Sequence, residues 1–304
     1  MQWKAILYTP SPRRISRTEN VLRTPFEIAH RVCKSSSPSG RYTIEGTLNI
    51  VRQAVTSGVK RIVITGSIVS HLNIRDGKDH HINKTITEKD WNPVTKEELL
   101  SGEHDNDAVW VYGAVKALNE QAIWKFADDH PEVDISIINP TFVYGPIASG
   151  VKIPNGDFKA LSTAALFYMR VLPANASTIT IDRPQEDIPV TVDVRDVARA
   201  HVLALRAPPT SEVGRKRFPL TGPSLTWVDT VIHLRKAMPE LAERLPKVAE
   251  GAESSDHLPC PTVDTTRAKE VLGIDRFIDW RTTAEDTIRS LLTIEKDWAS
   301  TTNA

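Results

Sequence analysis

Arg61-Ile62-Val63-Ile64-Thr65-Gly66-Ser67 is the stretch whose reading decides the fold. A charged residue opens a run of β-branched aliphatics, and Gly66-Ser67 closes it. A short run that is apolar throughout fits a strand buried on both faces, as in parallel sheets. Just upstream, Leu48, Ile50, Val51 and Val55 recur at helical spacing between Ile44 and Ser57, and Gly58 supplies the stop. The same alternation continues downstream, which predicts an α/β fold with a mainly parallel sheet. Further strands are expected at residues 4–9, 134–138, 178–182, 190–194 and 217–221. Helices are expected at about 108–129, 158–172 and 195–205, from Thr226 onward, and as two short C-terminal segments. Segment 13–42 reads as loop, 71–107 as a long polar excursion, and 145–156 as a Gly/Pro-rich connection.

Composition narrows the function classes. Lys plus Arg and Asp plus Glu both total 38, and no basic stripe interleaved with aromatics occurs, which argues against a nucleic-acid partner. No run of 18 apolar residues predicts a membrane span, and the N-terminus does not read as a signal peptide. Cys33 and Cys260 are the only cysteines and fit no zinc-site spacing, so the expected compartment is reducing and cytoplasmic, with no metal. The pair His80-His81 reads as part of a polar surface loop.

The chemistry is carried by Tyr112-Gly113-Ala114-Val115-Lys116 on the helix expected at 108–129. A spacing of four places the phenol and the ammonium on one helical face, about 5–6 Å apart at Cβ. A free phenol titrates near pH 10 and is a poor proton carrier at neutrality. A nearby ammonium favours the phenolate and suits the pair to general acid-base work. Taken alone, such a pair also fits an aromatic and a solvated lysine on an ordinary amphipathic helix. Ser67 reads in two ways as well, as a turn or capping residue or as a donor to a substrate carbonyl oxygen. Ligands in open parallel sheets bind outside the carboxyl ends of strands, and Ser67 lies at such an end. The next strand ends in Asn139-Pro140-Thr141-Phe142-Val143-Tyr144-Gly145-Pro146, whose apolar residues could wall a nicotinamide ring.

As a set, these residues resemble the extended short-chain dehydrogenase/reductases of the NAD-dependent epimerase/dehydratase superfamily. The branch is that of dihydroflavonol reductase, cinnamoyl-CoA reductase and fungal ketone reductases. The likeness also takes in Val192-Asp193-Val194-Arg195-Asp196, Arg217-Phe218-Pro219-Leu220-Thr221-Gly222 and Thr265 to Gly273, and covers roughly residues 44–292. It implies a Rossmann-like doubly wound parallel sheet with a smaller α/β substrate lobe. It also implies an NAD(P)H-dependent oxidoreductase interconverting a ketone or aldehyde and an alcohol. On the matching positions, Tyr112 is the general acid, Lys116 its partner and Ser67 the carbonyl orienter. Cofactor contacts are implied for Thr65, Tyr112, Lys116, Pro140, Thr141, Phe142 and Val143. NADP(H) is expected ahead of NAD(H), and the partner is a small carbonyl or alcohol substrate. Gly66-Ser67-Ile68 carries no carboxylate after Thr65, which favours carbonyl reduction over dehydration.

The sequence departs from the family at its start. No Gly-x-x-Gly-x-x-Gly turn occurs, and the first glycine is Gly40. Ala5 to Pro12 instead resembles the family's fourth strand and following turn, so the dinucleotide domain is expected to be N-terminally truncated and cofactor binding weakened or lost. The expected division is a partial dinucleotide-binding domain at 1–146, with 187–205 returning to it, and a substrate lobe at 147–304. Three readings follow: a working reductase, a catalytically impaired paralogue acting as a binding or regulatory protein, and a fragment of a normal reductase.

Overall fold

The computed structural model describes residues 39–73, 75, 84–158, 160–173, 179–181, 190–252 and 261–302. The strand expected at 4–9, the loop up to residue 38, His80-His81 and both cysteines lie outside the described residues. The chain divides into two units, each compact in itself. One is drawn from Met1–Thr141, Val197–Leu220 and Pro261–Asp275, the other from Phe142–Asp196, Thr221–Cys260 and Arg276–Ala304. Segments 206–220 and 261–275 therefore group with the N-terminal part of the chain.

The first unit is built on a three-stranded parallel sheet in the order β1 (Arg61–Thr65), β3 (Asp134–Pro140), β7 (Lys216–Leu220). In chain order its elements are α1 (Ser39–Thr56), β1 (Arg61–Thr65), β2 (Thr85–Ile86), α2 (Lys96–Ser101), α3 (Ala108–Asp129) and β3 (Asp134–Pro140). The register pairs Ile62 with Ile135 and Ile64 with Ile137, and next Ile137 with Arg217. Side chains alternate across a strand, so Ile62, Ile64, Ile135, Ile137 and Asn139 share one face with Arg217. Ile62, Ile64, Ile135 and Ile137 pack in one buried cluster with Val51 and Ala54 of α1 and Ile123, Trp124 and Phe126 of α3. α3 starts at the expected residue because Asp107 caps it, accepting from the Val109 and Trp110 amides. A helix inside the excursion 71–107 was not expected. α2 forms there on a capping box, in which the Thr95 side chain and the Glu98 backbone, and the reverse pair, satisfy each other.

The second unit contains β4 (Phe142–Tyr144), α4 (Ala164–Val171), β5 (Thr180–Ile181), β6 (Thr191–Asp193) and the start of α5 (Val194–Ala204). The chain returns to the first unit through α6 (Thr210–Val213) and β7 (Lys216–Leu220), and later through β9 (Thr262–Val263) and α8 (Thr266–Leu272). The second unit also holds α7 (Trp227–Ala237), β8 (Lys247–Val248) and α9 (Trp280–Thr302). β4 pairs with β6 in parallel, and β5 with β8. Its core gathers Phe167, Trp227, Val231, Leu234, Ile288 and Leu291. Phe167 and Trp227 are core residues, packed edge-to-face against each other and against Tyr144. The expected helix at 158–172 is shorter, and the last of the two short C-terminal helices is a 23-residue α9. Ala284, Ile288, Leu291, Ile294 and Trp298 form one buried stripe along it, which numerous Thr and Asp residues disguise in the sequence.

At the N-terminal ends of β3 and β7 sits a buried ion pair. Lys216 Nζ is fully buried, lies 2.6 Å from Asp134 Oδ2 and also donates to the Pro208 carbonyl. Burial holds the ammonium below its ordinary pKa although Asp134 pulls the other way. Asp134 additionally accepts from the amide and hydroxyl of Thr210. Removing one partner of such a pair strands the other charge. Asp134→Ala is expected to cost about 3 kcal/mol or more in urea unfolding. Lys216→Met, which leaves a partly solvated carboxylate, should cost clearly less in the same measurement.

Candidate active site

The candidate site forms where β1 and β3 end beside α3. Tyr112, Lys116 and Glu120 follow one another at steps of four on α3, so the three side chains share a face. The Tyr112 hydroxyl lies 3.4 Å from Ser67 Oγ and donates to it. Lys116 Nζ lies 5.9 Å from the centre of the Tyr112 ring. Ser67 is buried and precedes a 3-10 turn at Ile68–His71, yet its side chain makes no capping bond. Its hydroxyl is thus turned to Tyr112 rather than to the turn it starts. Two hydroxyls at this separation can both reach a third oxygen placed between them.

Ser67 is held from behind. Its amide donates to Asn139 Oδ1 at 2.9 Å, and the Asn139 amide nitrogen donates to His71 Nε2 at 2.8 Å and to the Glu120 carboxylate at 3.2 Å. Continuing the β1–β3 register by one step places Gly66 opposite Asn139. A Cβ at Gly66 would stand 1.9 Å from Asn139 Oδ1, so the missing side chain makes the room into which the amide fits. Glu120 is itself paired with Arg217, whose Nε lies 2.6 Å from Oε1, both side chains being almost wholly buried. Arg217 also donates to the carbonyls of Ser70, Glu88 and Asp90 and stacks 3.7 Å over the Trp91 ring.

His71 Nδ1 lies 2.8 Å from the Thr87 carbonyl, which can only accept, so this nitrogen carries the proton and Nε2 is the acceptor facing Asn139. Burial first, then the Arg217 charge, push its pKa down to about 4, against the opposing pull of Glu120, the Thr87 carbonyl and Asp90. His201 is buried: Nδ1 donates to the Val197 carbonyl and Nε2 accepts from the Thr65 hydroxyl at 2.8 Å. Its pKa too is lowered, chiefly by burial.

Of the residues singled out in the sequence, Ser67, Tyr112 and Lys116 come together. Thr65 turns to the opposite face of the sheet, toward His201. Pro140 ends β3, and Thr141 is bound through its amide to the Leu220 carbonyl. Phe142 and Val143 belong to β4 of the second unit. The sequence reading assigned no role to Asn139, Glu120, His71 or Arg217. Signals for two of them were present: a carboxylate one turn beyond Lys116, and Lys216-Arg217 at the head of a strand run. Among the described residues no group of three or more His, Cys, Asp or Glu could hold a metal. No described helix is long and apolar enough to cross a membrane.

Residues 30–216, more than half of the chain, match the family described as the NAD dependent epimerase/dehydratase family. An uncharacterized oxidoreductase of Schizosaccharomyces pombe is 36% identical over 66% of this chain and 55% of its own length. The NADPH-dependent methylglyoxal reductase GRE2 of Saccharomyces cerevisiae is 26% identical over 83% of this chain and 69% of its own. The crystal structure of Gre2 from Candida albicans in complex with NADPH superposes with a TM-score of 0.62 at 26% identity, covering 83% of this chain and 70% of that one. The chain therefore spans from about half to about two thirds of the length of these relatives. The fold is that of the Rossmann-type reductases, and an oxidoreductase function fits these relatives.

Two outcomes are expected. Between pH 6.5 and about 4 the unfolded chain binds a proton at His71 that the folded chain refuses, so stability falls as the pH drops through this window. The His71 share is on the order of 3 kcal/mol and should vanish in His71→Phe, as read from urea unfolding at stepped pH. Gly66→Ala forces Asn139 out of its bonded position and is expected to lower stability by about 2 kcal/mol in the same assay.

Proposed function

Because the chain belongs to the NAD dependent epimerase/dehydratase family, we propose that it carries the carbonyl-reducing site of an NADPH-dependent ketone or aldehyde reductase. The observation that carries this reading is the convergence of Ser67 and Tyr112 hydroxyls beside Lys116 at the carboxyl end of a parallel sheet. Reduction of a carbonyl adds a hydride to carbon and a proton to oxygen. The nicotinamide cofactor, when bound, supplies the hydride. Tyr112 supplies the proton to the carbonyl oxygen, leaving a phenolate that the Lys116 ammonium stabilises by charge. Ser67 donates a second hydrogen bond to the same oxygen, orienting it and stabilising the negative charge that develops there. Holding both donors on a helix and a strand end, rather than on a mobile loop, limits the reorganisation needed during reaction.

The residues present fit the reacting end of the cofactor. Tyr112 and Lys116 would face the nicotinamide ribose, with Pro140 and Thr141, at the end of β3, on the ring side. Gly66 does not fit a phosphate cradle, because Asn139 already fills the space above it. The second reading is a catalytically impaired relative that acts as a binding or regulatory protein. In the catalytic reading the first unit is the dinucleotide-binding part and the second the substrate-binding lobe. A small carbonyl compound of the methylglyoxal or ketone type is the substrate class taken over from the relatives.

The test is to titrate the purified chain with NADPH and NADH by nicotinamide fluorescence, then to screen small aldehydes and ketones for cofactor oxidation. Saturable binding that weakens in Lys116→Ala, with turnover falling about 100-fold or more in Tyr112→Phe, is the expected result. A folded chain that binds neither nucleotide would overturn the catalytic reading in favour of the second.

A further inference from the structure

The residues that hold Ser67 form a hydrogen-bond circuit with a single consistent arrangement of protons. It starts from the Thr87 carbonyl, which takes the proton on His71 Nδ1 and leaves Nε2 as a lone pair. The Glu120 carboxylate, bound by Arg217, likewise only accepts. The Asn139 amide lies between these two acceptors and the Ser67 N–H donor. Its nitrogen must therefore face His71 and Glu120, and its oxygen must face Ser67. The reversed amide would set oxygen against a carboxylate and a lone pair, and hydrogen against the Ser67 amide. All of these mismatches would be buried, since Asn139, His71 and Glu120 are each almost inaccessible to solvent. Glycine at 66 is part of the same device, because any side chain there would occupy the position of Asn139 Oδ1.

We infer that Asn139, locked in one amide orientation by His71 and Glu120, is the positioning residue that holds the Ser67 backbone so that its hydroxyl meets that of Tyr112. This rests on the reading of Ser67 and Tyr112 as the carbonyl-binding pair. Asn139 touches no reacting atom in this scheme and acts only through Ser67. Its effect therefore falls on the geometry of a donor pair, where displacements of about 1 Å cost about 100-fold in rate.

The experiment compares the full chain with Asn139→Leu, following hydrogen exchange of the Ser67 and Gly66 amides by NMR together with kcat and KM for carbonyl reduction with NADPH. The Gly66 amide is the internal control, because it is bound to the Ile138 carbonyl and not to Asn139. The expected result is exchange about 10-fold or more faster at Ser67 with Gly66 unchanged. With it, kcat should fall about 10-fold or more while KM stays within about 2-fold. Unchanged exchange at Ser67 in a folded variant overturns the inference, as does faster exchange with unchanged kcat. Should Asn139→Leu not fold, His71→Phe keeps Asn139 and removes one of the acceptors that fix its amide, and the same readouts decide in the same sense. Ser67→Ala separates the two claims. If it leaves kcat unchanged, the carbonyl-site reading fails, while exchange at Ser67 still reports whether Asn139 holds its backbone.

Discussion

A guanidinium buried beside a carboxylate is the interaction on which the first unit depends. Arg217 enters the sheet on β7, directly opposite Ile137, on the face that α3 covers. Leaving that charge unpaired would cost several kcal/mol, and the chain meets the demand with Glu120, backbone carbonyls and the face of Trp91. Those carbonyls come from the turn after β1 and from the segment at 88–90. One side chain thus ties together the sheet, the long helix and two connections. The turn after β1 is held in both ways, by this charge and by the apolar cluster that Ile68 and Leu72 form with Ile86 and Val263.

The consequence for the site is indirect. Glu120 cannot turn away from Arg217, so it presents a fixed acceptor to Asn139, which in turn fixes Ser67. His71 completes the enclosure in its neutral form, and burial that depresses its basicity keeps it so. Tyr112 and Lys116 sit two turns and one turn before Glu120 on the same helical face, so the helix that brings the hydroxyl also brings the carboxylate that steadies its neighbour. Chemistry and support therefore share a single element.

Much of this was legible from residue pattern. β1, α3 and the stop at Gly58 follow from apolar periodicity and capping, and they fall where that reading placed them. Ser67, Tyr112 and Lys116 were legible as a set because strand ends and a four-residue spacing are local features. The short α2 and the length of α9 were misjudged, the first by overlooking a Thr-x-x-Glu cap and the second because polar residues masked a continuous apolar stripe. Thr65 was grouped with the site by its place in the chain, but the alternation of side chains across a strand sends it to the other face.

By itself, then, the sequence determined the alternation of helix and strand, the motif on α3 and the family to which the chain belongs, since each depends on residues close together or on their order. Only the tertiary structure decided the partnership of Asn139 with Ser67, of Glu120 with Arg217 and of His71 with Asn139. These contacts join residues 68 to 147 positions apart, counting the Arg217 bond to the Ser70 carbonyl, and no local spacing encodes them. Strand register is what brings them together. A one-residue slip would turn Arg217 and Asn139 to the opposite face and dissolve the network, so register is a property of the assembled sheet and of no single segment.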